Sequence, residues 1–238
     1  MLDSLVLAAP PRVGTLEHEV KFIVPADAAT ALAAWLAAVC HPERAYPPAR
    51  VVTVYFDTPG MALLGEKIDS DYLKTKVRVR WYAPLTGRGQ GVAFAEVKAR
   101  TGNRREKTRV KLDVDAADLE GWRLDDPRWA RVSEALTASG QHGVAGLSPL
   151  LKLTYARRRF IDPRAAARVA LDTEIVATAI HPRVRGRAPA VLNLAVLEAK
   201  GTALDLSPAL SHAVRFGARR GAVSKYLECF RAVTCTVQ

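Results

Sequence analysis

The sequence contains few cysteines and no long apolar run. Its 3 cysteines are Cys40, Cys229 and Cys235, and their spacing is not that of a metal site, while an odd number does not favour a disulfide framework. No apolar stretch approaches the roughly 20 residues that span a bilayer, and residues 1–10 lack the basic region that begins a signal peptide. We therefore expect a cytoplasmic protein without a membrane segment, although a membrane protein as partner stays open.

Acidic and aromatic residues are also scarce. The chain has 24 acidic residues against 35 Lys and Arg, which gives a formal net charge of +11. Such an excess indicates an anionic partner, such as polyphosphate, a nucleotide, nucleic acid or an acidic membrane surface. Aromatic residues make up 7% of the chain and form no stacking pattern, so we do not expect nucleic acid.

Five stretches place charged side chains on alternate positions with mostly apolar residues between them. In a β-strand such side chains share one face, so each stretch predicts a strand with a charged face and an apolar back. Charged faces on strands from both halves of the chain predict a sheet curled around a basic interior, which needs an anion because burying cations together is costly. The rows are Glu17, Glu19 and Lys21; Lys76, Arg78 and Arg80; Glu96, Lys98 and Arg100; Lys107, Arg109 and Lys111; and Glu198 and Lys200.

The alternating segments predict an α+β protein in which eight strands form a small closed barrel with helices packed on its outside. We expect a flexible arm at 1–15 and a single domain over 16–238. The predicted strands lie near 16–24, 50–57, 74–82, 92–100, 106–114, 150–160, 167–174 and 191–200, and the predicted helices near 27–40 and 127–139, from Ser207 onward, and after Ser224 as an N-cap.

Carboxylates interrupt the basic rows. Glu17, Glu19, Glu96 and Glu198 share faces with Lys and Arg, although a simple anion binder would avoid them. A site for Mg²⁺ or Mn²⁺ takes one or two such hard oxygen ligands beside substrate phosphates. The alternative, that each glutamate only pairs with a neighbouring cation, stays open at this point.

Nine short motifs in a fixed order resemble the VTC domain, the polyphosphate-polymerising domain of the vacuolar transporter chaperone group. That domain belongs to the triphosphate tunnel metalloenzyme superfamily, which also contains the CYTH group. The motifs are Glu19-Val-Lys21-Phe, Val54-Tyr-Phe-Asp57-Thr, Lys76-Val-Arg78-Val-Arg80-Trp-Tyr, Glu96-Val-Lys98, Lys107-Thr-Arg109, Tyr155-Ala-Arg157-Arg-Arg-Phe160, Arg168-Val-Ala-Leu-Asp172-Thr, Leu197-Glu198-Ala-Lys200 and Ser224-Lys225-Tyr226.

The resemblance implies an eight-stranded antiparallel β-barrel, the triphosphate tunnel, in which the γ-phosphoryl group of ATP is transferred to a growing polyphosphate chain. It implies that Glu198 binds Mn²⁺ or Mg²⁺. The implied catalytic cations are Lys21, Arg78, Arg80, Lys98, Arg157, Lys200 and Lys225, and further contacts to the phosphates would come from Lys76, Lys107, Arg109 and Arg168 and from the hydroxyls of Tyr155 and Ser224.

The first motif departs from the VTC pattern, since Glu17-His-Glu19-Val-Lys21 has the Glu-x-Glu-x-Lys form of the CYTH group. With Glu17 and Glu19 as further metal ligands, a second ion could place an attacking water. A metal-dependent hydrolase of tripolyphosphate or nucleoside triphosphates is therefore an alternative. A non-catalytic polyphosphate-binding module is another, for which the basic stretch 181–187 is the best argument.

Overall fold

The computed structural model describes residues 18–69, 72–86, 91–102 and 104–235. The predicted arm and Glu17 lie outside these ranges. The division of the chain into an arm at 1–15 and one domain over 16–238 therefore stays a prediction.

Eleven strands form one sheet in the described part of the chain. Eight of them match the eight alternating segments closely, and three have only two residues each. In chain order they are β1 (His18–Pro25), β2 (His41–Pro42), β3 (Ala49–Asp57), β4 (Leu73–Ala83), β5 (Val92–Thr101), β6 (Arg104–Asp115), β7 (Ser148–Ile161), β8 (Arg168–Ile180), β9 (Ala190–Val191), β10 (Leu194–Gly201) and β11 (Arg219–Arg220).

The predicted closed, eight-stranded barrel is wrong. The strands lie in the order β11-β1-β10-β8-β7-β3-β4-β5-β6, with β2 beside β7 and β9 beside β8, and all neighbours are antiparallel. Among the described residues, β6 and β11 each pair on one side only, so the sheet is open. Part of the β1 edge that closure with β6 would need is occupied, because β11 pairs there with Phe22 and Ile23.

The sheet is nevertheless strongly curved, so its two halves face each other. Lys98 of β5 and Lys200 of β10 lie far apart in the strand order, yet their charges interact. The Nζ atom of Lys76 on β4 donates to the Oγ atom of Ser224 over 3.1 Å. The arrangement is consistent with a tunnel fold whose polar rows converge.

Two apolar clusters cover the outer face of the sheet. Apolar side chains from β1, β8 and β10 pack against α1 (Ala29–Val39) and a 3₁₀ helix at Leu210–Phe216. The backs of β3 to β6 pack against α3 (Ala116–Gly121), a second 3₁₀ helix at Pro127–Trp129, and α4 (Ala130–Ala138). This burial explains why the alternating strands have apolar backs.

The last helix differs from the expectation that the helices pack on the outside. Helix α5 (Lys225–Thr234) buries Tyr226, Leu227 and Cys229 in a third cluster with Tyr55 and Tyr155. Those tyrosines share their strand faces with Thr53 and Arg157, so α5 fills part of the inner side of the sheet. Its N-terminus therefore points at the charged rows.

The helices agree with the sequence-based expectations in part. Ser224 caps α5, as predicted, by accepting from the N–H of Leu227 over 3.5 Å. The helix expected from Ser207 is a short 3₁₀ helix, which ends at Gly217 with a φ of 74°. Helix α2 (Ala62–Asp69) and the six-residue α3 were not predicted, because they carry too few periodic residues to stand out.

No helix in the described residues is long and apolar enough to cross a membrane.

Candidate active site

Cross-strand register lines up the charged residues of β4, β5 and β6 in rows. Lys76 lies opposite Lys98, which lies opposite Lys107. One step along the strands, Arg78 lies opposite Glu96, which lies opposite Arg109. Directly opposed like charges destabilise a sheet, so the all-lysine row is a place where a bound anion would relieve repulsion.

The middle row is held by a buried ion pair. The Nε and Nη2 atoms of Arg78 donate to one oxygen of Glu96 over 2.7 and 2.5 Å, and Arg109 lies 3.5 Å from its other oxygen. Burial would raise the pKa of Glu96, but Arg78 and Arg80 outweigh it and lower the pKa to about 2. For Glu96 the pairing interpretation, rather than metal binding, is therefore the better one.

A second network joins β7, β8, β10 and α5 around two carboxylates. Both oxygens of the fully buried Asp172 accept from Arg157, over 2.5 and 2.6 Å, and Lys225 lies 2.6 Å from the same carboxylate. Lys225 and Arg157 also lie 3.3 and 3.6 Å from Glu198. Burial opposes ionisation of Asp172, but Arg157 and Lys225 keep its pKa below the ordinary value.

Glu19 and Glu198 are the described carboxylates that fit a metal ion best. Lys21 bridges them at 2.9 and 3.5 Å, and Lys200 lies 3.1 Å from Glu19. Burial would raise the pKa of Glu19, but Lys21 and Lys200 outweigh it and lower the pKa to about 2. Within the described ranges no three His, Cys, Asp or Glu side chains cluster, so an ion would share these two carboxylates with substrate phosphates, as Mg²⁺ commonly does.

Lys98 is the least compensated cation of the interior. In the part of the chain that the structure describes, its side chain makes no hydrogen bond and no ion pair. Its pKa falls to about 7 because of burial first, and then because of Arg78, Lys200 and Arg80. Burial likewise lowers the pKa of Lys76 to about 8, helped by Lys21.

The remaining predicted residues lie on or beside the same inner face. Arg80 donates to the Oγ1 atom of Thr53 over 3.3 Å. The ring of Tyr155 lies 5.3 Å from the guanidinium carbon of Arg157 and 5.2 Å from Nζ of Lys225. Lys107 and Arg109 are exposed on the edge strand β6, and Arg168 is exposed opposite Lys200 at the start of its pairing with β10.

The basic stretch 181–187 does not lie beside these rows. Arg183 donates to the Oγ atom of Ser148 and, over 3.4 Å, to the carbonyl of Thr58. The N–H of Arg187 donates to the carbonyl of Val233 over 2.7 Å. Gly186 and Arg187 therefore cover the C-terminal end of α5, whereas Arg183 lies beside Thr58.

Sequence reasoning missed the residues that place Lys225. The hydroxyl of Tyr226 donates to the buried Asp57 over 2.7 Å, and its ring stacks on Tyr55 with centroids 4.4 Å apart. Asp57 also accepts from the N–H groups of Leu63 and Leu64 at the start of α2. Asp57, Asp172 and Tyr226 occur in the quoted motifs, but nothing in their spacing indicates these contacts.

The chain belongs to the VTC domain family, whose model matches residues 16–234. No curated protein matches the sequence.

Two solved structures show the fold. One is a putative adenylate cyclase from Bacillus halodurans, 14% identical, with 91% of this chain and 97% of that chain covered and a TM-score of 0.54. The other is the putative adenylyl cyclase HpAC1 from Hippeastrum, described as having a dominant triphosphatase activity, 14% identical, with 90% and 95% covered and a TM-score of 0.50. Family and fold place this chain among the triphosphate tunnel proteins, as the motifs suggested.

The uncompensated lysine leads to a prediction about pH. We expect Lys98→Gln to weaken tripolyphosphate binding about tenfold more at pH 6 than at pH 8.5, because the parent side chain is charged only below about pH 7 in the ligand-free protein. Calorimetric titration of parent and variant at both pH values measures this. At each pH the dissociation constant of the variant is divided by that of the parent, so the effect of ligand protonation cancels.

Without ligand, the same substitution is expected to stabilise the protein. The pKa of Lys98 is lowered on folding, so between about pH 7 and 10 the unfolded chain binds this proton more tightly, and the stability of the parent rises with pH. Lys98→Gln should therefore melt higher than the parent at pH 7. A variant that melts lower, with a pH-independent binding ratio, would contradict the assignment of Lys98 to an anion site.

Proposed function

We propose that this protein is an ATP-dependent, metal-assisted polyphosphate polymerase. One observation carries the proposal: cations from three strands, β1, β7 and β10, and from α5 converge on Asp172 and Glu198, and the cations of β4 and β5 lie on the same inner face of the curved sheet. Burying so many cations is costly unless anions neutralise them, and polyphosphate supplies closely spaced negative charge. Membership of the VTC domain family supports the same substrate class.

The reaction suits a site that mainly positions charge. A terminal oxygen of the polyphosphate chain attacks the γ-phosphorus of ATP, the bond to the β–γ bridging oxygen breaks, and ADP leaves. Phosphoryl transfer of this kind depends on alignment and charge neutralisation more than on a covalent protein group. Arginines would hold phosphate oxygens as bidentate donors and lysines as point charges.

Within this proposal each group has a distinct task. Arg78 and Arg80 of β4 would bind the triphosphate on one side. Lys98 of β5 and Lys200 of β10 would also contact it, and Lys225 would contact it from the N-terminus of α5. Glu198 and Glu19 would hold Mg²⁺ or Mn²⁺. The ion would neutralise charge on the β- and γ-phosphates.

The buried cysteines support a reaction without a protein nucleophile. Burial raises the pKa of Cys40 to about 11 and that of Cys229 to about 12, so both stay protonated at neutral pH. Cys40 lies in the outer apolar cluster and Cys229 on the buried side of α5.

The expected activity is the formation of polyphosphate when the purified protein is incubated with ATP and Mn²⁺, detected as polymer on a gel. Glu198→Gln should lower the rate about 100-fold or more, since it removes a proposed metal ligand and the partner of Lys225. Glu134→Gln, an exposed change of the same kind on α4, is the matched control. Polymer formation that is equal in both variants would contradict the role of Glu198.

A hydrolase is the second candidate, and Glu19 favours it. Its side chain lies on the inner face between Lys21 and Lys200, where a second carboxylate could help to place a water. Release of orthophosphate without chain growth would support hydrolysis over polymerisation. In that case Glu17→Gln and Glu19→Gln should each reduce the release sharply, whereas an unchanged rate would remove this candidate.

A further inference from the structure

An arginine lies between two tyrosine rings at one end of the inner face. The guanidinium carbon of Arg159, on β7, lies 5.2 Å from the ring centroid of Tyr46 and 5.3 Å from that of Tyr82. Both distances are in the range of cation–π contacts. Tyr46 belongs to the loop between β2 and β3, and 40% of its surface is exposed, so part of it is open to a ligand.

The loop that carries Tyr46 is tied to the sheet. The N–H of Glu43 donates to the carbonyl of Arg159 over 3.1 Å, and the N–H of Tyr46 donates to the carbonyl of Glu43 over 3.0 Å. Strand β2 pairs with Phe160 and Ile161 next to these contacts. The backbone that leads to Tyr46 is therefore tied to β7 at Arg159 and at the two residues after it, so a ligand that stacks on Tyr46 would not need to order the loop first.

This group of three side chains continues the charged rows. Arg159 is two residues beyond Arg157 on β7, and Tyr82 is two residues beyond Arg80 on β4, so each lies about 6.6 Å further along the same strand face. The charges of Arg80, Arg159 and Arg157 reach the hydroxyl of Tyr82 and, against its burial, lower its pKa. Phosphates held by Arg80 and Arg157 would therefore lie within a nucleotide's length of Tyr82.

We propose that Tyr46, Arg159 and Tyr82 form a stacking site for the base of the nucleoside triphosphate. The inference rests on the proposed function, since it needs the triphosphate to lie in the charged interior. Bases stack on tyrosine rings and on guanidinium planes whatever their identity. The site would therefore bind nucleoside triphosphates more tightly than tripolyphosphate, and would distinguish adenine from guanine only weakly.

The test compares two ligands in one set of variants by calorimetric titration. Tyr46→Ala should weaken ATP binding about tenfold and leave tripolyphosphate binding unchanged, because only ATP carries a base. Tyr46→Phe keeps the ring and should bind ATP as the parent does. Tyr72→Ala removes another exposed tyrosine, which is near the opposite end of β4, and should change neither ligand.

The outcomes separate this inference from the proposed function. If Tyr46→Ala weakens the binding of both ligands equally, or changes neither, the stacking site is contradicted, but the proposed anion site in the charged interior is not. A parent protein that binds neither tripolyphosphate nor ATP would overturn both. GTP binding within about threefold of ATP binding supports stacking, whereas a loss of GTP binding would show base-specific recognition and contradict it.

Discussion

The variant with both Arg78→Ala and Arg80→Ala is expected to lose the stabilisation that tripolyphosphate gives to the parent. At 100 times its dissociation constant, a ligand adds about 2.7 kcal/mol to the free energy of unfolding. Two charge-assisted hydrogen-bond donors contribute about 1.5–3 kcal/mol each, so their loss weakens binding about 100-fold or more. At the same ligand concentration the remaining stabilisation would be about 0.4 kcal/mol or less.

Thermal melting with and without tripolyphosphate measures this effect, each variant against its own ligand-free value. That reference is necessary because removing Arg78 takes away both of the hydrogen bonds that it donates to one oxygen of Glu96. Arg80→Ala alone tests the site with less disturbance, since the side-chain partner of Arg80 is the hydroxyl of Thr53. Arg123→Ala with Arg131→Ala makes the same change in net charge on the outer surface, and should keep the full ligand effect.

Asp172→Asn is expected to lower the free energy of unfolding by about 3–5 kcal/mol, the range found when one partner of a buried ion pair is removed. The carboxylate is fully buried and contacts both Arg157 and Lys225. Without its charge, those two cations keep only the longer contacts to Glu198. Urea denaturation at pH 7 measures the loss, and saturating tripolyphosphate should recover part of it by neutralising the same cations.

The pH dependence gives this prediction a second readout. Because the pKa of Asp172 is lowered on folding, its contribution is present at neutral pH and is lost as pH falls below the ordinary carboxyl range. The stability of Asp172→Asn should therefore fall less steeply in acid than that of the parent. A loss below about 1 kcal/mol at pH 7, with an unchanged acid slope, would show that the buried network is not a main support of the site.

The strands and their inward faces could be predicted because alternation is a strong signal. In β4, Lys76, Arg78 and Arg80 alternate with Val77 and Val79, and the burial of the valines follows from that pattern alone. The same reasoning found the charged faces of β1, β5, β6 and β10. The order of the motifs identified the family, since short motifs that are weak singly become specific in sequence.

What could not be predicted depends on contacts between distant residues. The two-residue strand β11 has no periodicity, so nothing in the sequence indicates that it pairs with part of the β1 edge. The amphipathic pattern of α5 required burial, but it could not distinguish the inner side of the sheet from the outer. Tyr46 and Arg159 are 113 positions apart and meet only because β2 pairs with the end of β7.

The most direct test of the charged interior is a crystal structure with tripolyphosphate and Mn²⁺. We expect phosphate oxygens to contact Arg78, Arg80 and Lys200 together, with the metal ion on Glu198. Phosphate bound only outside the sheet, for example at the basic stretch 181–187, with those three side chains free of it, would contradict the account.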